Sequence, residues 1–268
     1  MFICSKCKKE YAGYPKVCPE CRCELDGAHR VRSERAECAP LADLLSKYDT
    51  LIAFDTETTG LDFKGDRVIE LSVVLFSQRG GVAERELDLL IKLPEGEKIP
   101  PEIVKLTGIT DEMLLRDGVD ESEAVREFLS LFRGNRHLLV AHNAQFDMNF
   151  LYRMLARHGA AGILCDCDML DTLTVYKDRR EYPHRLENAI DAYKLTGKVK
   201  NSHRAIDDTL ALFEVMKAMD AERPDLGSYI NLFGYNPKYG VSGAKIGSVK
   251  YVPQPYNSRL PLYYKVEE

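Results

Sequence analysis

Two acids one residue apart, Asp55 and Glu57, close the short apolar run at residues 51–54. Such a run, ending in turn chemistry, reads as a strand buried on both faces. Side chains alternate along a strand, so Asp55 and Glu57 leave the backbone on the same face, in line with Leu51 and Ala53. Neighbouring carboxylates repel and raise one another's pKa unless a cation lies between them, and a divalent metal is the usual solution. A pair of solvated acids at a strand end is the competing reading. Two later acids bear on the choice. Asp147 shares a helical stripe with Phe150, Leu151 and Met154, and an acid in an apolar stripe is costly to bury without a partner. Of the adjacent Asp207 and Asp208, Asp208 aligns with Ala205, Leu212, Val215 and Met219, whereas Asp207 falls on the polar side with Glu214. Asp147 and Asp208 therefore point inward, and the end of the Asp55 strand is a natural place for the cation they ask for. His203 precedes Asp208 by five residues, so it reaches that acid only from a helix cap and not from mid-helix.

A second chemistry lies at the N-terminus. Cys4 and Cys7 form one Cys-x-x-Cys knuckle, Cys18 and Cys21 another. Two such knuckles complete a tetrahedral thiolate site, and structural zinc is the expected ion. The segment looks like a zinc ribbon or rubredoxin-like knuckle, in which Cys23 is an alternative to Cys21. So small a piece needs its metal to fold. Cys165 and Cys167, with no second pair nearby, read as buried free thiols.

The elements that must position these residues follow in order. Residues 25–47 read as a linker, with a short helix over 41–47. Residues 67–76 and about 82–93 form an antiparallel hairpin beside the first strand. Within it Glu70 is read as a strand-face or edge residue and not a metal ligand. A helical stretch opens at Pro100-Pro101 and carries Thr107 and Gly108, and a helix follows over about 121–132. A buried strand at 138–141 runs into His142 and Asn143, where Asn143 is expected to cap a helix over about 144–158. Helices follow over about 186–193 and 201–222. Residues 223–268, rich in Pro and Tyr, form an extension packed on the domain as a strap or only partly ordered.

Taken together, Asp55-x-Glu57 at a strand end, His142-Asn-x-x-Phe-Asp147 at a helix start and His203-x4-Asp208 at the next long helix resemble the three motifs of the DEDDh exonucleases. Relatives include the proofreading subunit of bacterial replicative polymerases, RNase T and oligoribonuclease. The resemblance covers residues 48–222. It implies an α/β fold of ribonuclease-H-like type, a mixed sheet flanked by helices. It also implies a metal-dependent 3′→5′ exonuclease that takes nucleic acid 3′ ends, single-stranded or frayed, with two Mg2+ or Mn2+ per site. Asp55, Glu57, Asp147 and Asp208 would hold those ions and His203 would serve as general base. Thr58, Thr59, Thr107 and Gly108 would touch the terminal nucleotide, and Phe146 would wedge or stack bases, with core packing as its alternative. Asp171 matches a recurring structural Asp-Thr. DNA is the expected polymer; RNA trimming, or a non-catalytic adaptor in a replication or repair complex, are the alternatives. The zinc module and the C-terminal extension are the expected contacts to a polymerase or repair partner.

The 268 residues carry a net charge of -5, with the middle acidic and both ends slightly basic. Any contact to nucleic acid is therefore local. No apolar run reaches the ~18 residues of a membrane span and no signal-peptide pattern opens the chain, so a cytoplasmic, membrane-free protein is expected.

Overall fold

The computed structural model describes residues 2–3, 10–11, 41–76, 82–199, 205–236, 240–252 and 262–263. Cys4, Cys7, Cys18, Cys21, Cys23 and His203 lie outside the described residues. Near the N-terminus Phe2–Ile3 and Glu10–Tyr11 pair antiparallel.

A five-stranded mixed sheet organises the rest. Its strands are β1 (Thr50–Thr58), β2 (Val68–Phe76), β3 (Ala83–Leu90), β4 (His137–Ala141) and β5 (Cys167–Asp171), in the spatial order β3-β2-β1-β4-β5. The first three meander antiparallel, while β4 and β5 join parallel to β1. Parallel strands need a crossover: α2 (Pro101–Thr107), α3 (Asp111–Asp117) and α4 (Glu121–Leu129) lie on the path into β4, and α5 (Ala144–Arg157) joins β4 to β5, while α1 (Ala42–Lys47) precedes the sheet and α6 (Thr172–Arg179), α7 (Leu186–Ala192) and α8 (Ala205–Glu222) follow it. Proline at the start of α2 costs no hydrogen bond. Gly108, at φ 74°, ends that helix in the left-handed region that side chains avoid.

Alternation along β1 decides the layers. Leu51 and Ala53 join Val74, Phe76, Leu138, Val140 and Leu170 in a cluster with α8 residues Leu212, Phe213, Val215 and Met219. Ile52 and Phe54 join Val73, Leu75, Leu139 and Met169 in a second cluster with Met148, Leu151 and Met154 of α5. Both faces of the sheet are thus covered, which is why β2 is buried along its whole length.

Two stretches read as lying outside this domain are packed into it. Leu41, Leu44 and Leu45, in the expected linker, are buried against α8 residues and the sheet. In the C-terminal extension Leu226, Tyr229, Leu232, Phe233 and Ile246 are buried, so its described part behaves as the packed strap. An ion-pair network fastens it: the Arg179 side chain, wholly buried, meets Asp225 at 2.5 Å and Glu222 at 3.4 Å and donates to the Met219 carbonyl at 2.6 Å. Among the described residues no helix is long and apolar enough to cross a membrane.

Three expectations are corrected. The third strand ends at Leu90; beyond it the Ile91 N–H donates to the Ile69 carbonyl at 2.9 Å, and Ile91 forms an isolated bridge to Val119. Cys165 is exposed, whereas Cys167 is buried, because Cys165 lies in a 3-10 turn (Ala161–Asp166) ahead of β5 and not on the strand. Asn143 does not cap α5 with its side chain; it sits at φ 75°, and its N–H donates to Asp171 at 3.0 Å.

Candidate active site

β1 runs through the core and releases its two acids at the end. Asp55 and Glu57 are both half-buried, Asp55 opposite Ser72 and Glu57 opposite Glu70 on β2. The register slips between Glu57 and Thr58, a bulge that re-aims side chains where the ladder ends. Thr56, between the acids, points to the other face. There its N–H and hydroxyl both donate to Asp147 Oδ1, at 3.2 and 2.7 Å. Asp147 stands in the first turn of α5 and is 3% exposed, so the apolar stripe that carries it is anchored to the acid-bearing strand through Thr56.

Asp208 arrives on α8. That helix begins at Ala205, whose N–H donates to Glu70 at 3.2 Å, and Glu70 is wholly buried. Glu70 thereby fastens the helix that carries Asp208 to the strand that faces Glu57. The sequence reading of Glu70 as a strand-face acid holds, but its tie to α8 was missed. Its two-residue alternation with Ser72, Val74 and Phe76, which places it on the α8 face, was the available signal.

Asp55 senses the other three acids. Burial pushes the Asp55 carboxyl well above the usual range, and the charges of Asp147, Glu57, Asp208 and Glu70 push it further, in that order. Burial also pushes Asp147 up to about 7, against the Thr56 hydrogen bonds that favour its anion. Among the described residues no three His, Cys, Asp or Glu side chains are gathered closely enough to hold an ion as they stand; carboxylates with no cation between them keep apart. The donor set nevertheless fits a hard divalent cation. Asp55, Glu57, Asp147 and Asp208 bring only oxygen, and two of them are anions that burial disfavours.

Around them the remaining candidates divide. Thr58 and Thr59 end β1 buried, their hydroxyls donating to the Gly60 carbonyl at 2.6 Å and to Asp66 at 3.0 Å. A Cβ on Gly60 would meet the Asp66 carboxylate, so a larger residue there would have to displace that side chain from Thr59. The Thr107 hydroxyl closes the end of α2, donating to Ile103 and accepting from the Ile109 N–H. Ile109 packs on Ile69, the neighbour of Glu70, which brings the Thr107-Gly108 turn to the acid-bearing end of β2. Phe146 is partly buried, its ring 5.0 Å from Phe150, and it also lines a cleft. Asp171 accepts from the N–H groups of Asn143 and Leu173 and from the Thr174 hydroxyl, all at 3.0 Å. It therefore joins the starts of α5 and α6, the structural part its Asp-Thr pattern suggested. The His142 ring lies between the Thr172 hydroxyl, at 2.9 Å, and the His184 carbonyl, at 3.0 Å. Burial holds its pKa below the ordinary histidine value, so the neutral ring donates to His184 and accepts from Thr172.

Comparison with known proteins gives this arrangement its kin. The RNase T exonuclease family matches residues 52–216. The chain is 36% identical over 178 residues to the DNA polymerase III subunit epsilon of Treponema pallidum (strain Nichols), covering 63% of this chain and 75% of that one. It is 32% identical over 193 residues to the PolC-type DNA polymerase III of Bacillus subtilis (strain 168), covering 69% of this chain but only 12% of the polymerase. Among solved structures, E. coli exonuclease I in complex with a dT13 oligonucleotide superposes with a TM-score of 0.58 at 22% identity, over 70% of this chain and 44% of that one; this likeness is one of fold. The sheet order, the paired acids at the end of β1 and the family match together place the chain in the RNase T exonuclease family, hydrolases of phosphodiester bonds.

Proposed function

We propose that this protein is a metal-dependent 3′→5′ exonuclease that removes nucleotides from single-stranded or frayed 3′ ends, DNA being the preferred polymer. One observation carries the reading. The carboxyl of Asp55, at the end of a core strand, is pushed up by burial and by the charges of Asp147, Glu57 and Asp208, and Asp147 is held to that strand by Thr56. Two Mg2+ or Mn2+ bound there would polarise the scissile phosphate, lower the pKa of an attacking water and stabilise the departing 3′-oxygen. Asp55, Glu57 and Asp208 would hold the ion that activates the water, and Asp147 would support the second. His203, five residues ahead of Asp208, would take the proton of the attacking water, since imidazole titrates near neutral pH and a committed carboxylate does not. Thr58, Thr59, Thr107 and Gly108 would seat the terminal nucleotide.

The same proposal includes a structural zinc held by Cys4, Cys7, Cys18 and Cys21. Its support is the spacing of the two knuckles and the antiparallel pair Phe2–Ile3 with Glu10–Tyr11, which brackets the Cys4 to Cys7 knuckle. A polymerase or repair protein is the partner we assign to this module and to the C-terminal tail, and the cytoplasm is the compartment.

The test is a matched cleavage assay on 5′-labelled single-stranded DNA, duplex DNA and RNA with Mn2+, using the intact chain and a version lacking residues 1–40. Stepwise shortening of DNA, lost in Asp55→Ala and Asp208→Ala, is expected. Faster shortening of RNA would reassign the substrate, and cleavage that persists in both variants would remove the site.

A further inference from the structure

A cleft of about 590 Å3 opens beside the start of α5. Its volume lies within the ~300–1000 Å3 typical of ligand sites. One wall comes from the family-matched region: Asn143 and Phe146 flank the turn that carries Asp147, with Asn149 further along α5, Lys177 on α6 and Phe63 in the loop after β1. The opposite wall comes from beyond residue 216, where the family match ends: Gly234, Tyr235 and residues 242–244.

That second wall is pinned, not loosely apposed. Gln145 Nε2 donates to the Ala244 carbonyl at 2.7 Å, and the Tyr251 hydroxyl donates to Gln145 Oε1 at 2.9 Å. Tyr251 stacks on Phe233 with ring centroids 4.6 Å apart. Gly234, at φ 58°, lies against the Gln145 side chain with no room for a Cβ. The neighbouring segment is fastened too: Asp178 accepts from the Tyr229 hydroxyl at 2.8 Å and the Leu262 N–H at 3.3 Å. The two acids that line the cleft, Asp171 and Asp178, are thus already engaged in hydrogen bonds. The cations around it face solvent: Lys177 on the lining, Arg153 over the Phe63 ring at 5.7 Å, and Lys245 next to Ala244.

Aromatic rings, the exposed Asn143 amide and exposed cations in one groove are the chemistry of sequence-tolerant single-strand binding. We propose that this cleft is a strand-binding subsite, walled by the C-terminal segment, that holds unpaired nucleotides of the strand whose 3′ end enters the carboxylate site. The inference rests on the exonuclease reading of the adjoining acids and adds a substrate contact that the matched region lacks by itself.

The experiment measures binding of 5′-fluorescein dT3 and dT12 to the full chain by anisotropy in EDTA. The proteins are the wild type, Lys177→Glu and Ser242→Trp. Ser242 is exposed on the C-terminal wall, so tryptophan there fills the groove without replacing any residue of α5; thermal melts verify that each variant folds. We expect dT12 to bind wild type more tightly than dT3, and both variants to weaken dT12 about tenfold while losing most of that length dependence. Unchanged dT12 affinity in both folded variants would overturn the subsite, as would equal loss for dT3 and dT12 or a wild type that does not distinguish the two lengths. Mn2+-dependent hydrolysis of a thymidine 5′-monophosphate aryl ester by wild type is read in parallel. Its absence refutes the catalytic reading, whereas the binding series decides the cleft.

Discussion

Replacing Asp147 by Asn should stabilise the metal-free protein above neutral pH while removing its activity. Asp147 is 3% exposed, and its pKa rises from 3.8 to about 7 on folding. Between those values the folded state binds a proton that the unfolded chain does not, so this group's contribution falls as pH rises through that window. At ~1.4 kcal/mol per pH unit, the charged carboxyl costs the fold about 4 kcal/mol above pH 7. Asparagine retains the Oδ1 that accepts both Thr56 donors, but buries an NH2 group at a cost of ~1–3 kcal/mol. The net gain is about 2 kcal/mol, or ~4–8 °C in melting temperature for a chain of this size. Removing this charge also relieves Asp55, for which Asp147 is the leading charged neighbour. The assay is thermal unfolding of wild type and Asp147→Asn in EDTA from pH 4 to pH 9, with nuclease activity measured in Mn2+. An Asn variant that is no more stable at pH 8, or a difference that does not shrink toward pH 4, would refute the reasoning.

Other outcomes follow from the same contacts. Asp55→Ala and Asp208→Ala should each lower cleavage by about 10³-fold or more while leaving the fold intact, as single-residue removal does in other catalytic clusters. Mn2+ should raise the melting temperature of wild type more at pH 8 than at pH 5, because the cation binds the deprotonated acids, and much less in Asp55→Ala. Glu70→Ala should cost ~1–3 kcal/mol by stranding the Ala205 N–H and should lower kcat through the displaced start of α8. Arg179→Ala should cost ~3–5 kcal/mol, since Asp225 and Glu222 would lose a wholly buried partner; chemical denaturation reads it.

Sequence patterning made the sheet readable. The apolar runs of β1, β2 and β4 have length and alternation that admit few readings, and the inward stripes on α5 and α8 follow from helical spacing alone. Asp55, Glu57, Asp147 and Asp208 were legible for that reason: each is an acid where the period calls for an apolar residue or a strand exit. What was not legible depends on contacts distant in sequence. Thr56 meets Asp147 from 91 residues away and Glu70 meets Ala205 from 135, and no local pattern marks either pair. Asn143 misled because cap preference follows residue type, whereas its left-handed backbone turns its N–H toward Asp171. The packed-strap reading of the C-terminal extension holds for its described part, but which residues it buries was not legible, because Leu226, Tyr229, Leu232 and Phe233 are spaced by irregular turns and follow neither period.

The central claim is that these carboxylates remove nucleotides from a 3′ end. The most direct measurement is the product ladder from one single-stranded oligonucleotide labelled at its 5′ end, compared with the same strand labelled at its 3′ end, in Mn2+. The 5′-labelled strand should shorten one nucleotide at a time, while the 3′ label is released at once as a mononucleotide. Internal fragments, shortening from the 5′ end, or intact strands under conditions where the protein binds Mn2+ would contradict it.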